Sequence, residues 1–339
     1  MRVADRILVK GVNWLGDAVM TLPALKALRE RFPSARISVL TRDNLADLYR
    51  GVPYVDETIS EGSRSIGAMM RLTKRIKDGK FDTAIIFPAS FRSALMIFLG
   101  GVPERIGFAK EGRSPLLTKA LRRDSEVLRR HRVEYFLRLL EPFGSVPRPT
   151  APRIDPTFED RAWAARTLEE RLPGKGPIVA LHPGATYGNA KRWYPDRFAA
   201  VASRLARERG ARVMVIGGKA EADLAREVTQ AVQGGPAVSL AGETSLLQLA
   251  AVLERASVLV TNDTGPMHLA AAVGTPIVAV FGPTDPVTTR PYGEKHTVVR
   301  HSVECSPCLL RECPIDHRCM TKIGADEVYD AVVRWLKGA

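Results

Sequence analysis

Short β-branched runs alternate with stretches of helical periodicity along this chain, and that alternation restricts it to few folds. Ile7-Leu-Val9, Ile37-Ser-Val-Leu40 and Thr83-Ala-Ile-Ile-Phe87 read as strands in the first half. Ile178-Val-Ala-Leu181, Val213-Met-Val-Ile216, Val258-Leu-Val260 and Ile277-Val-Ala-Val-Phe281 follow in the second. Between the first two, Val19, Leu22, Leu25 and Leu28 are spaced for one face of a helix. Strand alternating with helix predicts α/β architecture, with parallel sheets covered by helices on both faces. At 339 residues the chain exceeds the usual size of a single core, so two domains are expected. The run from Pro142 to Pro152 holds four prolines and a glycine and supplies the border. A helix over Arg161 to Arg171 then leads into Pro173-Gly-Lys-Gly-Pro177, where the second domain's first strand begins. The expected architecture is two Rossmann-like domains facing an interdomain cleft, at 1–160 and 172–325, with a C-terminal helix at 326–339.

Charge divides the chain in a different way. The formal net charge is +13. Residues 1–150 hold 27 Lys/Arg against 16 Asp/Glu, a net of +11, and the remainder holds 23 against 21, a net of +2. A basic half beside a nearly neutral one predicts that the basic half meets an anionic surface or substrate. Its cations cluster at Arg71–Lys77, Arg105–Arg113 and Arg122–Arg132. Anionic lipid headgroups answer such clusters at roughly 1 kcal/mol per basic side chain near the surface. Solvated helix faces account for any one cluster equally simply. Nucleic acid is the partner from another class, but the sequence has no helix-turn-helix, zinc-finger or RNP-type pattern. It also has no apolar run of about 18 residues and no signal peptide, Met1-Arg-Val-Ala-Asp-Arg leading straight into the first strand. A cytoplasmic protein is expected.

Strand exits in both halves carry residues suited to ligand chemistry. Val258–Val260 runs into Thr261-Asn-Asp-Thr-Gly265 and then a helical stretch through His268. A strand, a small-residue turn and a helix N-terminus hold anions well, because the helix's first N–H groups lack internal partners. Asp263 or Thr264 would cap that helix. The next strand ends in Gly282-Pro-Thr-Asp285, and two adjacent strand ends with polar loops describe a ligand crevice. The second exit is Leu181-His-Pro-Gly-Ala-Thr-Tyr-Gly-Asn-Ala-Lys-Arg-Trp-Tyr-Pro195, whose Lys191-Arg192 pair precedes a helix beginning near Pro195. Lys191 reads either as a surface cation or as one side of a diphosphate clamp that stabilises a departing phosphate. The third, Gly217-Gly-Lys-Ala-Glu221, offers Glu221 to ribose hydroxyls or simply to the first turn of a helix. At the N-terminus, Lys10-Gly-Val-Asn-Trp-Leu-Gly-Asp17 follows the first strand. Asp17 is read as an N-cap or as a carboxylate poised as general base. This loop is neither a Gly-x-Gly-x-x-Gly fingerprint nor a Walker A sequence.

All four cysteines fall in Cys305-x2-Cys308-x4-Cys313-x5-Cys319, with His301 and His317 nearby. The set is compatible with a tetrahedral zinc site or an iron–sulfur cluster, but it matches no zinc-ribbon spacing. Reduced packing thiols are the favoured account, and structural disulfides do not suit a cytoplasmic chain.

Taken in order, Gly-Asp-Ala-Val, His-Pro-Gly-Ala-Thr-Tyr-Gly-Asn-Ala-Lys-Arg-Trp, Gly-Gly-x-x-Glu, Asn-Asp-Thr-Gly-Pro-Met-His and Phe-Gly-Pro-Thr-Asp resemble the ADP-heptose:lipopolysaccharide heptosyltransferases. These form family 9 of the glycosyltransferases, and the resemblance runs from Ile7 to about Met320. It implies the GT-B arrangement, with an N-terminal acceptor domain and a C-terminal nucleotide-sugar domain. The Ala-Lys-Arg-Trp segment and the cysteine-rich tail point, within that family, to addition of the second core heptose. Alternatives are addition of the first heptose, or another GT-B enzyme using a sugar such as UDP-GlcNAc. By matching motif positions, Asp17 would be the catalytic base and Lys191 would assist the leaving ADP. Thr186, Glu221, Thr244, Asp263, Thr264, Gly265 and His268 match donor-contacting positions. Asp263 would take a heptose hydroxyl, Thr264 and Gly265 the diphosphate, and Thr244 an adenine through its backbone. The implied partners are ADP-heptose and an anionic lipid A core carrying Kdo and one heptose, at the cytoplasmic face of the inner membrane. The implied reaction is a single displacement with inversion that needs no cofactor and no metal. Nucleic acid is not an expected partner.

Overall fold

The computed structural model describes residues 4–63 and 65–336. Met1–Val3 and the last three residues of the expected 326–339 helix lie outside them. The chain divides into two compact units, Met1–Asp155 and Pro156–Ala339. In the first, chain order runs β1 (Arg6–Lys10), α1 (Leu15–Arg31), β2 (Arg36–Thr41), α2 (Asp43–Ala46), β3 (Glu57–Ser60) and α3 (Ile66–Asp78). It continues with β4 (Thr83–Ile86), α4 (Phe91–Leu99), β5 (Glu104–Phe108), β6 (Lys119–Leu121), α5 (Ser125–Arg129) and α6 (Arg132–Leu137). Its six strands are all parallel, in the order β3-β2-β1-β4-β5-β6.

The second unit opens with α7 (Phe158–Arg171), β7 (Ile178–His182), α8 (Pro195–Arg209), β8 (Arg212–Val215), α9 (Ala222–Ala231), β9 (Ala237–Ser239) and α10 (Leu246–Glu254). Then come β10 (Val258–Asn262), α11 (Gly265–Ala272), β11 (Ile277–Val280), α12 (Pro286–Thr289), β12 (His296–Val299), α13 (Arg318–Thr321) and α14 (Ala325–Leu336). Its strand order, β12-β11-β10-β7-β8-β9, repeats the logic of the first sheet, and every neighbouring pair is again parallel.

All seven expected strands form, each shifted by at most two residues at an end. Their central residues, such as Ile7, Leu8 and Val9, are fully buried, because helices cover both faces of each sheet. Five strands escaped the sequence reading. Four of them, β3, β6, β9 and β12, are sheet edges, and β5 opens with Glu104 and Arg105, so none presents a continuous apolar run. Helix α7 starts three residues before the expected Arg161. A capping box sets its start: the Thr157 hydroxyl accepts the Asp160 N–H at 3.2 Å, and the Asp160 carboxylate accepts the Thr157 N–H at 3.2 Å. Arg161 then pairs with Glu254 of α10 at 2.7 Å, tying α7 into the second unit.

In each sheet the chain moves outward through three strands and then jumps back across the first. Strand order therefore reverses between β1 and β4, and between β7 and β10. Loops leaving neighbouring carboxyl ends diverge at such points, which opens a crevice for a ligand. The segments Lys10–Asp17 and His182–Lys191 leave the first strand at each switch point. No helix among the described residues is long and apolar enough to cross a membrane.

Candidate active site

The second switch point gathers the residues that the sequence singled out. Lys191 ends a short 3-10 turn after β7, and Asp263 follows β10. Their side chains meet at 2.6 Å between Nζ and Oδ2, with 14% and 5% of each exposed. Lys191 Nζ also donates to the Asp263 carbonyl at 3.3 Å and stands 5.2 Å from the centre of the Tyr187 ring. Desolvation offsets much of the attraction in so enclosed a pair, so its main effect is positional: the Lys191 side chain is held in place. Asn262, fully buried, pins the surrounding loops. Its side chain donates to the carbonyls of Pro183 at 2.9 Å and Gly184 at 3.1 Å, and accepts the Trp193 N–H at 2.9 Å. Trp193 is anchored in turn by its indole N–H on the Ile323 carbonyl at 3.0 Å.

Beside this pair runs a second chain of contacts through His182, the last residue of β7. Its Nε2 lies 3.3 Å from Glu221 Oε2, and its Nδ1 lies 3.0 Å from the Thr264 hydroxyl. Glu221 is a first-turn glutamate in a capping-box arrangement, with the His182 contact added. It closes a 3-10 turn ahead of α9, accepts the Gly218 N–H at 2.8 Å and keeps only 11% of its side chain exposed. Burial works against its ionisation. Contact with His182, the His182 charge, the Gly218 N–H and nearby Arg192 outweigh it, and the carboxyl falls below its ordinary value. Its other oxygen, Oε1, is buried and has no hydrogen-bond partner among the described residues. A Cβ at Gly184 would lie 2.0 Å from Oε1, so a side chain there would displace the Glu221 carboxylate.

Thr264 occupies the N-cap position of α11, but its hydroxyl goes to His182 and makes no cap bond. Asp263 is not the cap. Gly265 is the first residue of α11, and His268, on the same helix, is buried. Thr186 is exposed on the loop after β7, and half-buried Thr244 precedes the Ser245 cap of α10. The structure thus joins Lys191 to Asp263, and Glu221 to Thr264 through His182, while Thr186 and Thr244 stand apart on the loops after β7 and β9. The sequence reading missed His182 and Asn262. A histidine or asparagine as the final residue of an otherwise apolar strand was the available signal.

The cysteine segment packs against the loop that carries Lys191. The Ala190 N–H donates to the Arg311 carbonyl at 2.9 Å, His317 Nε2 meets the Ala190 carbonyl at 2.8 Å, and Tyr187 donates to the Leu309 carbonyl at 3.1 Å. Gly188 permits the approach, since a Cβ there would stand 2.3 Å from the Arg311 carbonyl oxygen. The four cysteines are free thiols. Burial first, then the charges of Cys305, Cys313 and Cys308, push the Cys319 thiol up. Among the described residues no three His, Cys, Asp or Glu side chains stand ready around a metal ion.

In the first unit Asp17 is the third residue of α1 and half-buried, and the N-cap is Trp14, so the capping explanation of Asp17 does not hold. Lys10 is buried at the end of β1 and pairs with Glu61 at 2.6 Å. The Arg105–Arg113 cluster is partly structural. Arg113 is fully buried and donates to the Phe108 and Ser90 carbonyls at 2.8 and 3.2 Å, and burial lowers its pKa to about 10. Arg105 donates to the Leu116 carbonyl at 2.7 Å and to the Val102 carbonyl at 2.6 Å. A cavity of about 780 Å³, lined by Arg31, Phe32, Asp82 and Phe143 among others, opens at the opposite edge, where the strands begin. It contains none of the candidate residues.

Residues 69–318 match the model of glycosyltransferase family 9 (heptosyltransferase). The chain belongs to that family. It is 31% identical over 308 residues to lipopolysaccharide heptosyltransferase 2 of Escherichia coli K12, covering 87% of this chain and 88% of the relative. The structure of the E. coli ADP-heptose lipopolysaccharide heptosyltransferase II superposes with a TM-score of 0.86 at 28% identity, covering 98% and 99% of the two chains. A family 9 glycosyltransferase from Veillonella parvula superposes at 0.89 with 26% identity, covering 100% and 99%. The α/β, GT-B fold expected from the sequence is the one observed.

Proposed function

We propose that this glycosyltransferase moves L-glycero-D-manno-heptose from ADP-heptose to the inner core of lipopolysaccharide, adding the second core heptose. The observation that carries the reading is the second switch point of a family 9 chain, where the fixed Lys191–Asp263 pair lies on the same edge as the orphaned Glu221 Oε1. Lys191 and the amino end of α11 suit a diphosphate, and Oε1 suits a ribose hydroxyl. Asp263, held by Lys191, takes a heptose hydroxyl. Thr186, Thr264, Gly265 and His268 complete the donor site, with Thr244 contributing backbone to the adenine. Asp17 takes the proton from the acceptor hydroxyl as its oxygen attacks the anomeric carbon. The bond from that carbon to the diphosphate oxygen breaks, the configuration inverts, and the negative charge of departing ADP falls on Lys191.

The relative's name, heptosyltransferase 2, supports the second heptose. The acceptor is then an anionic lipid A core with Kdo and one heptose, and the enzyme works as a peripheral protein at the cytoplasmic face of the inner membrane. The net charge of +11 in residues 1–150 supports such a partner. Thermal shift against ADP-heptose, ADP and UDP-GlcNAc tests the donor. ADP-heptose at 100 times its Kd adds about 2.7 kcal/mol of stability, and equal or greater stabilisation by UDP-GlcNAc refutes the assignment.

A further inference from the structure

Six large apolar side chains are exposed in the first unit among its described residues: Trp14, Ile66, Met70, Phe91, Phe98 and Leu99. Four of them lie at one edge. Every strand pair in this sheet is parallel, so the loops leaving Lys10, Ser60 and Ile86 emerge on the same side. Trp14 caps α1 after β1, Ile66 opens α3 after β3 with Met70 one turn on, and Phe91 opens α4 after β4. The Lys10–Glu61 ion pair ties the first two of these loops together. Exposure is high at Ile66 (76%) and Met70 (67%), while the other face of α3 is buried through Ala68, Leu72 and Ile76. Helices α3 and α4 cover the same sheet face, and Arg71 and Lys74 stand exposed on α3 beside its apolar pair. Asp17 lies one residue past Gly16 on this edge.

We propose that this edge inserts into an anionic bilayer surface, with Trp14, Ile66, Met70 and Phe91 entering the headgroup–acyl boundary and the α3 cations meeting lipid phosphates. The inference rests on the membrane-borne acceptor proposed above and goes beyond electrostatic attraction. An exposed apolar patch rimmed by cations fits an interfacial membrane face, and tryptophan favours that depth. Charge alone would place the protein near the membrane. The apolar contacts would hold the carboxyl edge, and Asp17 with it, against the layer from which the acceptor's sugars project.

The test uses the full chain with vesicles of phosphatidylcholine and about one third phosphatidylglycerol, without donor or acceptor, so its result is independent of the transfer reaction. Wild type is expected to float with these vesicles and to keep part of its binding in high salt. The Ile66→Ser/Met70→Ser/Phe91→Ser variant, altered only at exposed positions, is expected to bind at least about tenfold more weakly and to lose the salt-resistant part. Brominated acyl chains should quench wild-type fluorescence but not that of Trp14→Phe. Unchanged vesicle binding by the triple variant, absence of Trp14 quenching, or a dimer that the triple substitution dissociates would overturn insertion. Arg71→Glu/Lys74→Glu should weaken binding only at low salt, and weakening that persists in high salt would contradict the division between apolar and charged contacts.

Discussion

The two units share one sheet plan and the same kind of switch point, but they furnish those points in opposite ways. In the second unit the carboxyl edge is closed on itself: Lys191 on Asp263, His182 between Glu221 and Thr264, and Asn262 holding the connection from β7 to α8. In the first unit Asp17 stands half-buried on the opening turn of a helix, beside an edge that exposes Trp14, Ile66 and Phe91. A small soluble anion is served by donors fixed before it arrives, because no reorganisation is then needed as charge develops. A large amphiphilic acceptor needs an edge left open. On the proposed function the same backbone plan meets both needs, because the site residues sit at the strand ends and on the loops and helix starts that follow them, where side chains vary without disturbing the sheet.

Substitutions on the two sides should fail differently. The largest effect is expected from Asp17→Asn, which should lower kcat about 10³-fold or more while calorimetry finds ADP-heptose binding nearly intact. Full activity in that variant would remove Asp17 from the chemistry. Lys191→Ala should lower kcat by about 10²–10³-fold and also weaken ADP, since it removes charge stabilisation at the leaving group. A Lys191→Ala enzyme that binds ADP as tightly as wild type would separate Lys191 from the donor. Gly184→Ala forces a methyl group toward Glu221 Oε1 and should raise the donor KM about tenfold, leaving the acceptor KM unchanged, as loss of roughly 1.4 kcal/mol of binding would do. Steady-state kinetics with both substrates varied decides it.

The smallest effect concerns pH. The Glu221 carboxyl is depressed below its ordinary value of 4.5 in the folded protein. The stability it contributes is therefore fully present above that value and is lost as pH falls from 4.5 through the folded pKa. Melting curves of wild type and Glu221→Gln should differ at neutral pH and converge below pH 4.5. A difference that widens on acidification would reverse the sign of the argument.

Much of this was legible in the sequence because buried parallel strands announce themselves as apolar runs, and Gly/Asp/Thr turns at their ends mark the switch points. The edge strands β3, β6, β9 and β12 were not, since strands buried on fewer sides keep polar residues. Spacing pointed to Lys191, Glu221 and Asp263, but the joining of Lys191 to Asp263, 72 residues apart, depends on the pairing of β7 with β10. His182 escaped notice because it ends a strand that reads as core. Charge counting overstated the surface role of Arg113, which the fold buries to hold carbonyls. The exposed carboxyl edge of the first unit was also hidden, because Trp14, Ile66 and Phe91 are remote in sequence and adjacent loops bring them to one side.

The most direct test of the account is transfer from ADP-heptose to two lipid A cores, one ending at Kdo and one already carrying a single heptose. One heptose should be added, with inversion, to the core that already bears one, with negligible transfer to the shorter acceptor. Transfer to the shorter acceptor in preference, or to neither while another nucleotide sugar is consumed, would contradict it.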